Sequence, residues 1–297
     1  MRYTITGGAG FIGSHLAKAL VSKGHSVDVI DNLSTGSMSN LDDIKNKISF
    51  HKTDILDADS LEGIIQNTDG IFHHAALTSV PESFTRQQEY ENVNVNGTEN
   101  IFKIAKKLHV KVVFASSSSV YGDTKTIPTK ESHKLDPINP YGITKLNAEQ
   151  LATKYLQFFD VVGLRYYNVY GDTMPGAGVI SKFYYCIQNN MPLEIDGDGK
   201  QLRDFVYIDD VVNATISSME KNTGSCFINV GSGVATSILE LANLFLKYSG
   251  SASKIIFKQQ DKGNVMTSQA DILFAKQLLG WKPQTTLEDW IKNLYKS

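Results

Sequence analysis

Tyr3-Thr4-Ile5-Thr6-Gly7-Gly8-Ala9-Gly10-Phe11-Ile12-Gly13 stands at the head of the chain, and its reading decides the rest. Four residues of strand character run into a turn of glycines, and apolar residues at helical spacing follow over positions 11–22. In such a turn Gly7 supplies the tight bend, Gly10 lets backbone approach a pyrophosphate, and Gly13 lets the helix pack closely on the strand. The helix N-terminus, with Phe11 and Ile12, then faces the phosphates of a dinucleotide. A glycine triplet alone also suits a βα turn that binds nothing. The second strand candidate, residues 26–30, separates the two readings by ending in Asp31, about 20 residues beyond the turn. A carboxylate there accepts both ribose hydroxyls of adenosine. Asp31 repels a 2′-phosphate, and no Lys or Arg stands between Ile30 and Asp43 to attract one, so NAD is expected rather than NADP.

Outward from the turn, residues 48–53, 70–73, 111–115 and 161–166 are further short apolar strand candidates, each followed by turn chemistry or a helix. This alternation predicts an α/β fold, a Rossmann-type doubly wound parallel sheet with ligands at the carboxyl ends of its strands. Past Tyr167 the texture changes: Gly171, Pro175, Gly176 and Gly178 interrupt the chain, and clean βα alternation stops. Residues 1–167 are expected to form the dinucleotide-binding domain, with 208–230 returning to it, and residues 168–297 mainly a smaller substrate-binding lobe.

The charge balance, 29 Lys+Arg against 31 Asp+Glu for a net −2, argues against nucleic acid or an anionic membrane as partner. No run approaches the roughly 18 apolar residues of a membrane span. The chain opens directly on a strand, so no leader is expected. Two cysteines, Cys186 and Cys226, make no disulfide framework, and a reducing, cytoplasmic location is the expectation. The sequons at Asn96 and Asn213 then carry no glycosylation meaning.

The fifth strand runs into Ser116-Ser117-Ser118-Ser119-Val120-Tyr121-Gly122, and Asn139-Pro140-Tyr141-Gly142-Ile143-Thr144-Lys145 opens a helix. Asn139 suits the N-cap and Pro140 the first helical position, which puts Tyr141 and Lys145 one turn apart on one face. A lysine cation about 5 Å from a phenol, at an effective dielectric of about 20, favours phenolate by roughly 3 kcal/mol, or about two pKa units. The helix N-terminus and an oxidised nicotinamide add in the same direction. Tyr141 is thus expected to act as a general base near neutral pH, with Ser117 on the same substrate oxygen. Taken singly, a serine run is a hydrated turn and a Tyr/Lys pair is a surface contact. Their joint place at strand ends beside a dinucleotide turn makes the catalytic reading the stronger one.

These residues resemble the extended short-chain dehydrogenase/reductases, and within them the NAD-dependent nucleotide-sugar epimerase/dehydratase family. The resemblance runs through nearly the whole chain: the glycine turn, Asp31-Asn32-Leu33-Ser34-Thr35-Gly36, Tyr141 with Lys145, Leu164-Arg165-Tyr166-Tyr167-Asn168-Val169-Tyr170-Gly171, Arg203-Asp204-Phe205-Val206, Ala270-Asp271 and Leu278-Leu279-Gly280-Trp281. It implies removal of the sugar 4-OH proton by the tyrosine and of the C4 hydride to NAD, then return of both to the transient 4-keto sugar. It further implies cofactor contacts from Asn32, Thr35, Gly36, Ala75, Ala76, Thr78, Asn94 and Tyr166, and nucleotide-sugar contacts from Asn168, Val179, Leu193, Ile195 and Arg203. Asp54, followed by Ile55, is read either as an adenine contact or as an Asx turn before a helix, and Leu193 and Ile195 either as a uracil slot or as a core strand. Helices near 85–108 and 141–157 pair across a dimer interface in relatives, so a homodimer is the expectation.

Departures from the family pattern narrow the chemistry. Dehydratases and decarboxylases of the family carry acids where this chain has Ser118 and Ser119, and serines cannot do that proton work. Uronic-acid 4-epimerases carry Thr in place of Asn168, which instead matches the 4-epimerases of UDP-glucose and UDP-galactose. The Arg-x-Gly-Asp of relatives is Asp261-Lys262-Gly263-Asn264 here, which removes an expected phosphate ligand; Lys262 or Lys258 could stand in as a point charge. Ser268 replaces a bulky tyrosine and is expected to admit N-acetyl groups. A 4-epimerase of UDP-hexoses or UDP-N-acetylhexosamines is therefore expected. The alternatives are an epimerase or reductase of another nucleotide sugar and a non-catalytic NAD-binding regulator, against which the intact Tyr141 and Lys145 count. His73 and His74 lack a third ligand at zinc spacing, so no metal is expected.

Overall fold

The computed structural model describes residues 1–174, 176, 178–259 and 265–296. Twelve strands appear among them: β1 Arg2–Thr6, β2 Ser26–Ile30, β3 Ile48–His51, β4 Gly70–His73, β5 Lys111–Ser117, β6 Val161–Tyr166, β7 Asn168–Tyr170, β8 Leu193–Asp196, β9 Leu202–Tyr207, β10 Cys226–Val230, β11 Ala235–Ser237 and β12 Ile255–Lys258. Seven of them form one parallel sheet in the order β10-β6-β5-β4-β1-β2-β3. Strands buried on both faces read as continuous apolar runs rather than alternating ones, and every residue of β4 and β6 is buried.

Alternation along each strand still divides its side chains between two cores. Phe72 and Val113 face the layer that holds Leu16, Ala17 and Leu20 of the helix Phe11–Ser22 with Val211 and Ile216 of the helix Ile208–Glu220. Their neighbours Ile71, Val112 and Phe114 face Ile101, Phe102 and Ala105 of the helix Thr98–Leu108 and Leu151 and Ala152 of the helix Pro140–Thr153. The strand order reverses between β1 and β4, and a crevice for a ligand lies outside their carboxyl ends.

The six strands expected from the sequence are all present, with ends within two residues of expectation. The seventh, β10, is not among the expected strands; it pairs with β6 at the sheet edge after a long excursion of the chain. Within that excursion and beyond it, β11-β9-β7 and β12-β8 form two small sheets over a third core of Tyr170, Ile180, Phe183, Phe205, Phe245 and Trp290. Asp204 on β9 ties this region to the turn after β10: its carboxylate accepts from Ser232 N at 2.6 Å, Ser232 Oγ at 2.7 Å, Gly233 N at 2.9 Å and Ala270 N at 3.0 Å. Residues 122–138 run as a strap from the end of β5 to the segment that carries Ser268. Asp123 Oδ1 accepts from Met266 N at 2.7 Å, and Thr129 bridges Gln269 and Asp271.

Candidate active site

Backbone crowding explains two of the three expected glycines. Gly7 has φ +69°, and a Cβ there would sit 2.5 Å from Ala75 N. At Gly13 a Cβ would come to 2.2 Å from Gly7 O, so only glycine lets the helix Phe11–Ser22 start this close to the turn. Asp31, 8% exposed, anchors the turn from β2: Oδ2 accepts from Ala9 N at 2.9 Å and Oδ1 from Leu33 N at 2.8 Å. An ionised carboxylate has about four lone-pair sites, so two remain for a pair of hydroxyls. Gly36 packs against Ala9, and Ser37 N and Asn40 Nδ2 both donate to Ala9 O, which folds the segment 31–40 over the turn.

Other expected cofactor residues are placed differently from one another. Asp54 forms the Asx turn: Oδ1 accepts from Leu56 N, and Oδ2 accepts from Asn32 Nδ2 at 2.8 Å. Ile55 is buried in the core against Gly97, whereas Thr35 and Thr78 are exposed. A π-helical turn over Asn92–Gly97, joining the helices Gln87–Glu91 and Thr98–Leu108, points Asn94 inward. Asn94 is 2% exposed and spends its amide on protein: Oδ1 accepts from Leu77 N, and Nδ2 donates to Leu77 O and Thr144 Oγ1. Its hold on Leu77 fixes the segment of Ala75, Ala76 and Thr78 that follows β4.

His73 ends that strand and His74 follows it, both neutral. Thr98 Oγ1 donates to Asn94 O and so accepts from His73 Nε2, which leaves His73 Nδ1 to accept from Thr6 Oγ1 at 2.6 Å. By the same logic Thr215 Oγ1 donates to Val211 O, Tyr166 Oη donates to Thr215, and His74 Nε2 donates to Tyr166. Burial, helped by the charge of Lys145, pushes both histidines down to about 3.

Asn139 caps the helix Pro140–Thr153 by accepting from Gly142 N at 2.8 Å, with Pro140 in the first position. Tyr141 packs on Leu77 and Tyr90, and Ser117, Tyr141 and Lys145 are each buried at the ends of β5 and its helix. Lys145 Nζ lies 5.9 Å from the Tyr141 ring centre and donates to Ala115 O at 2.9 Å. The expected fall in the phenol pKa is not found in the protein alone. Burial pushes Tyr141 up to about 12, against the pull of Ser117, and pushes Lys145 down to about 8. The expectation counted the attraction between the two groups but not the loss of water around both, which disfavours phenolate and ammonium alike.

Of the expected sugar-contact residues, Asn168 on β7 is exposed while Val179 and Ser268 are partly buried. Arg203 is largely withdrawn from solvent; its Nη1 donates to Leu202 O at 2.8 Å, and among the described residues no carboxylate forms an ion pair with it. Burial lowers its pKa, with Asp123 acting against that. Leu193 and Ile195 are 0% and 1% exposed in the third core, so the core-strand reading holds for their side chains and the uracil-slot reading does not. Residues 261–264, where the phosphate-binding arginine is missing, lie outside the described residues.

Residues 3–231 match the model of the NAD dependent epimerase/dehydratase family, about three quarters of the chain. The chain belongs to that family. NAD is the cofactor of this enzyme, and the glycine turn with Asp31 fits it. The enzyme is 36% identical to a UDP-glucose 4-epimerase of Mycolicibacterium smegmatis, over 98% of this chain and 96% of that one. It is 34% identical to a UDP-N-acetyl-alpha-D-glucosaminuronate decarboxylase of Bacillus cytotoxicus, over 98% and 95%. Its fold superposes with a TM-score of 0.94 on the UDP-glucose 4-epimerase of Thermotoga maritima solved with UDP-glucose, at 35% identity over 98% and 96% of the two chains. No helix among the described residues is long and apolar enough to cross a membrane.

Sequence reasoning about this epimerase missed the polar residues behind the site. Glu149 stands on the same helix face as Tyr141 and Lys145, four residues further on, and that spacing was legible. Its partner Arg165 sits in the quoted run 164–171, but nothing in the sequence joins the two.

Proposed function

We propose that this enzyme interconverts the C4 epimers UDP-glucose and UDP-galactose, and that it accepts the corresponding UDP-N-acetylhexosamines. The observation that carries the reading is the convergence of Ser117, Tyr141 and Lys145 at the carboxyl end of β5, with serines at 118 and 119 where elimination or decarboxylation would need an acid. Ser117 Oγ accepts from Ser119 N at 3.1 Å, and its side chain is hydrogen-bonded to Tyr141, so the two hydroxyls stand together to receive the substrate 4-oxygen. Tyr141 Oη takes the proton of that hydroxyl and returns it. Lys145 uses one N–H on Ala115 O and keeps two for ligand hydroxyls, while its cation stabilises the phenolate. When bound, NAD supplies the reversible two-electron acceptor at the sugar C4. Arg203, a partly buried cation with no acid at ion-pair distance among the described residues, suits a diphosphate, and Asn168 lies on β7, the strand paired with that of Arg203. Partly buried, small Ser268 favours room for an N-acetyl group. A homodimer, and the division at residue 167 with 208–230 in the NAD-binding part, belong to the same proposal.

The test incubates the protein separately with UDP-galactose, UDP-GlcNAc and UDP-glucuronate, without added reductant, and follows the sugar protons by NMR. Interconversion of the UDP-hexose pair supports the reading, and conversion of UDP-GlcNAc supports the role of Ser268. Conversion of UDP-glucuronate alone would replace it with a uronic-acid epimerase, and a demand for stoichiometric reductant would replace it with a reductase.

A further inference from the structure

Glu149 and Arg165 form a buried, two-pronged ion pair directly behind the reacting residues. Arg165 Nε donates to Glu149 Oε1 at 2.9 Å and Nη2 to Oε2 at 2.7 Å, with side chains 4% and 3% exposed. Ser116 Oγ donates to Glu149 Oε1 at 2.5 Å. Arg165 Nη1 reaches Tyr121 Oη at 2.7 Å and Glu131 O at 3.0 Å. Tyr121 then donates to Asn229 Oδ1 at 2.7 Å, and Asn229 Nδ2 to Thr129 O at 2.9 Å. One connected network therefore joins the catalytic helix, the cross-strand pair Ser116 and Arg165 on β5 and β6, β10 and the strap.

Replacing a buried ion pair by apolar groups of like volume is often neutral or stabilising, so stability alone does not account for this one. Its geometry suggests another role. Three consecutive residues of β5 each hold one turn of a single helix face: Ala115 O receives Lys145, Ser116 holds Glu149, and Ser117 stands beside Tyr141. We infer that Glu149, clamped by Arg165, is a positioning residue that sets the register of the catalytic helix on β5 and so the placement of Tyr141 and Lys145 against Ser117. The inference rests on the proposed proton-transfer roles of those three. Displacing reacting groups by about 1 Å can cost on the order of 10²-fold in rate.

Two variants of the NAD-loaded enzyme test it: Glu149→Gln, and Glu149→Leu combined with Arg165→Met, which removes both charges. The double variant should keep its bound NAD, unfold at or above the parent temperature, and hold KM within about twofold, while kcat falls on the order of 10²-fold. Parent-like kcat in the folded double variant would overturn the inference, as would a loss of kcat that merely tracks lost NAD. Should the double variant fail to fold, Glu149→Gln assayed well below its melting temperature decides the question by the same split of kcat and KM. If the parent itself converts none of the three UDP-sugars, the functional reading has failed instead. The register is then read from the tyrosinate absorbance of the NAD-loaded protein, with Tyr141→Phe as the blank. A midpoint that rises in Glu149→Gln supports the inference, and an unmoved one overturns it.

Discussion

Lys145 is a buried cation whose bond to Ala115 O offers a neutral partner rather than an acid. Its value near 8 lies below the ordinary 10.5, so the unfolded chain binds more protons between those two pH values. Stability should therefore rise with pH from about 8 to 10.5. Lys145→Met should flatten that rise and raise the melting temperature at pH 7 by a few degrees, while lowering turnover on the order of 10²–10⁴-fold. Thermal unfolding across pH 7–10, set beside the NMR assay, checks both halves. A lower melting temperature at pH 7 would mean that the bond to Ala115 O outweighs the burial cost. Residue identity and spacing alone made Ser117, Tyr141 and Lys145 legible. Their pKa values were not, because burial is set by Leu77 and Tyr90 from distant parts of the chain. For the same reason Leu193 and Ile195 stayed ambiguous: apolar residues alternating on a short strand suit a slot and a core equally.

Elements were legible where the local signal was strong. The run from Tyr3 to Gly13 specifies strand, turn and helix through patterns confined to a few residues, and the structure carries them at those positions. The π-helical turn at Asn92–Gly97 had no such signal, since it arises from fitting Asn94 between Leu77 and Thr144. β10 was missed because its pairing with β6 is non-local and no clean βα alternation leads to it. The glycine turn yields a sharp prediction at this scale. Gly13→Ala puts a methyl against backbone that has nowhere to go, in contrast to Gly24 or Gly250, where a Cβ meets nothing within 4 Å. It should destabilise the protein by about 1–3 kcal/mol and weaken NAD binding more than tenfold, whereas a substitution elsewhere in the exposed face of that helix should do neither. Isothermal titration with NAD and a denaturant melt measure the two effects. Tight NAD binding by Gly13→Ala would mean that the helix can shift without opening the site.

Across the whole molecule, Asp204 joins the small sheets to the large one. Four donors converge on a carboxylate with no exposed surface, and burial raises its pKa against their pull. Asp204→Asn would turn an amide NH₂ toward backbone N–H groups. The expected cost is about 2–4 kcal/mol, seen as a fall in melting temperature of roughly 3–6 °C for a chain of this length. Arg203, the residue before it on the strand, is the proposed diphosphate ligand, so substrate KM should rise along with the loss of stability; an unchanged KM would separate the anchoring of β9 from that proposed role.

The late arrival of β10 has a consequence for the making of this protein. On the ribosome, β6 emerges with its outer edge bare, and the strand that covers it follows only after roughly 60 further residues. At synthesis rates of about 5–20 residues per second, that edge waits on the order of 3–12 s. Throughout the wait Val161, Val162 and Leu164 are an open invitation to a neighbouring nascent chain. The segment between the two strands thus sets the interval during which the newborn enzyme is most exposed to aggregation and most in need of a chaperone.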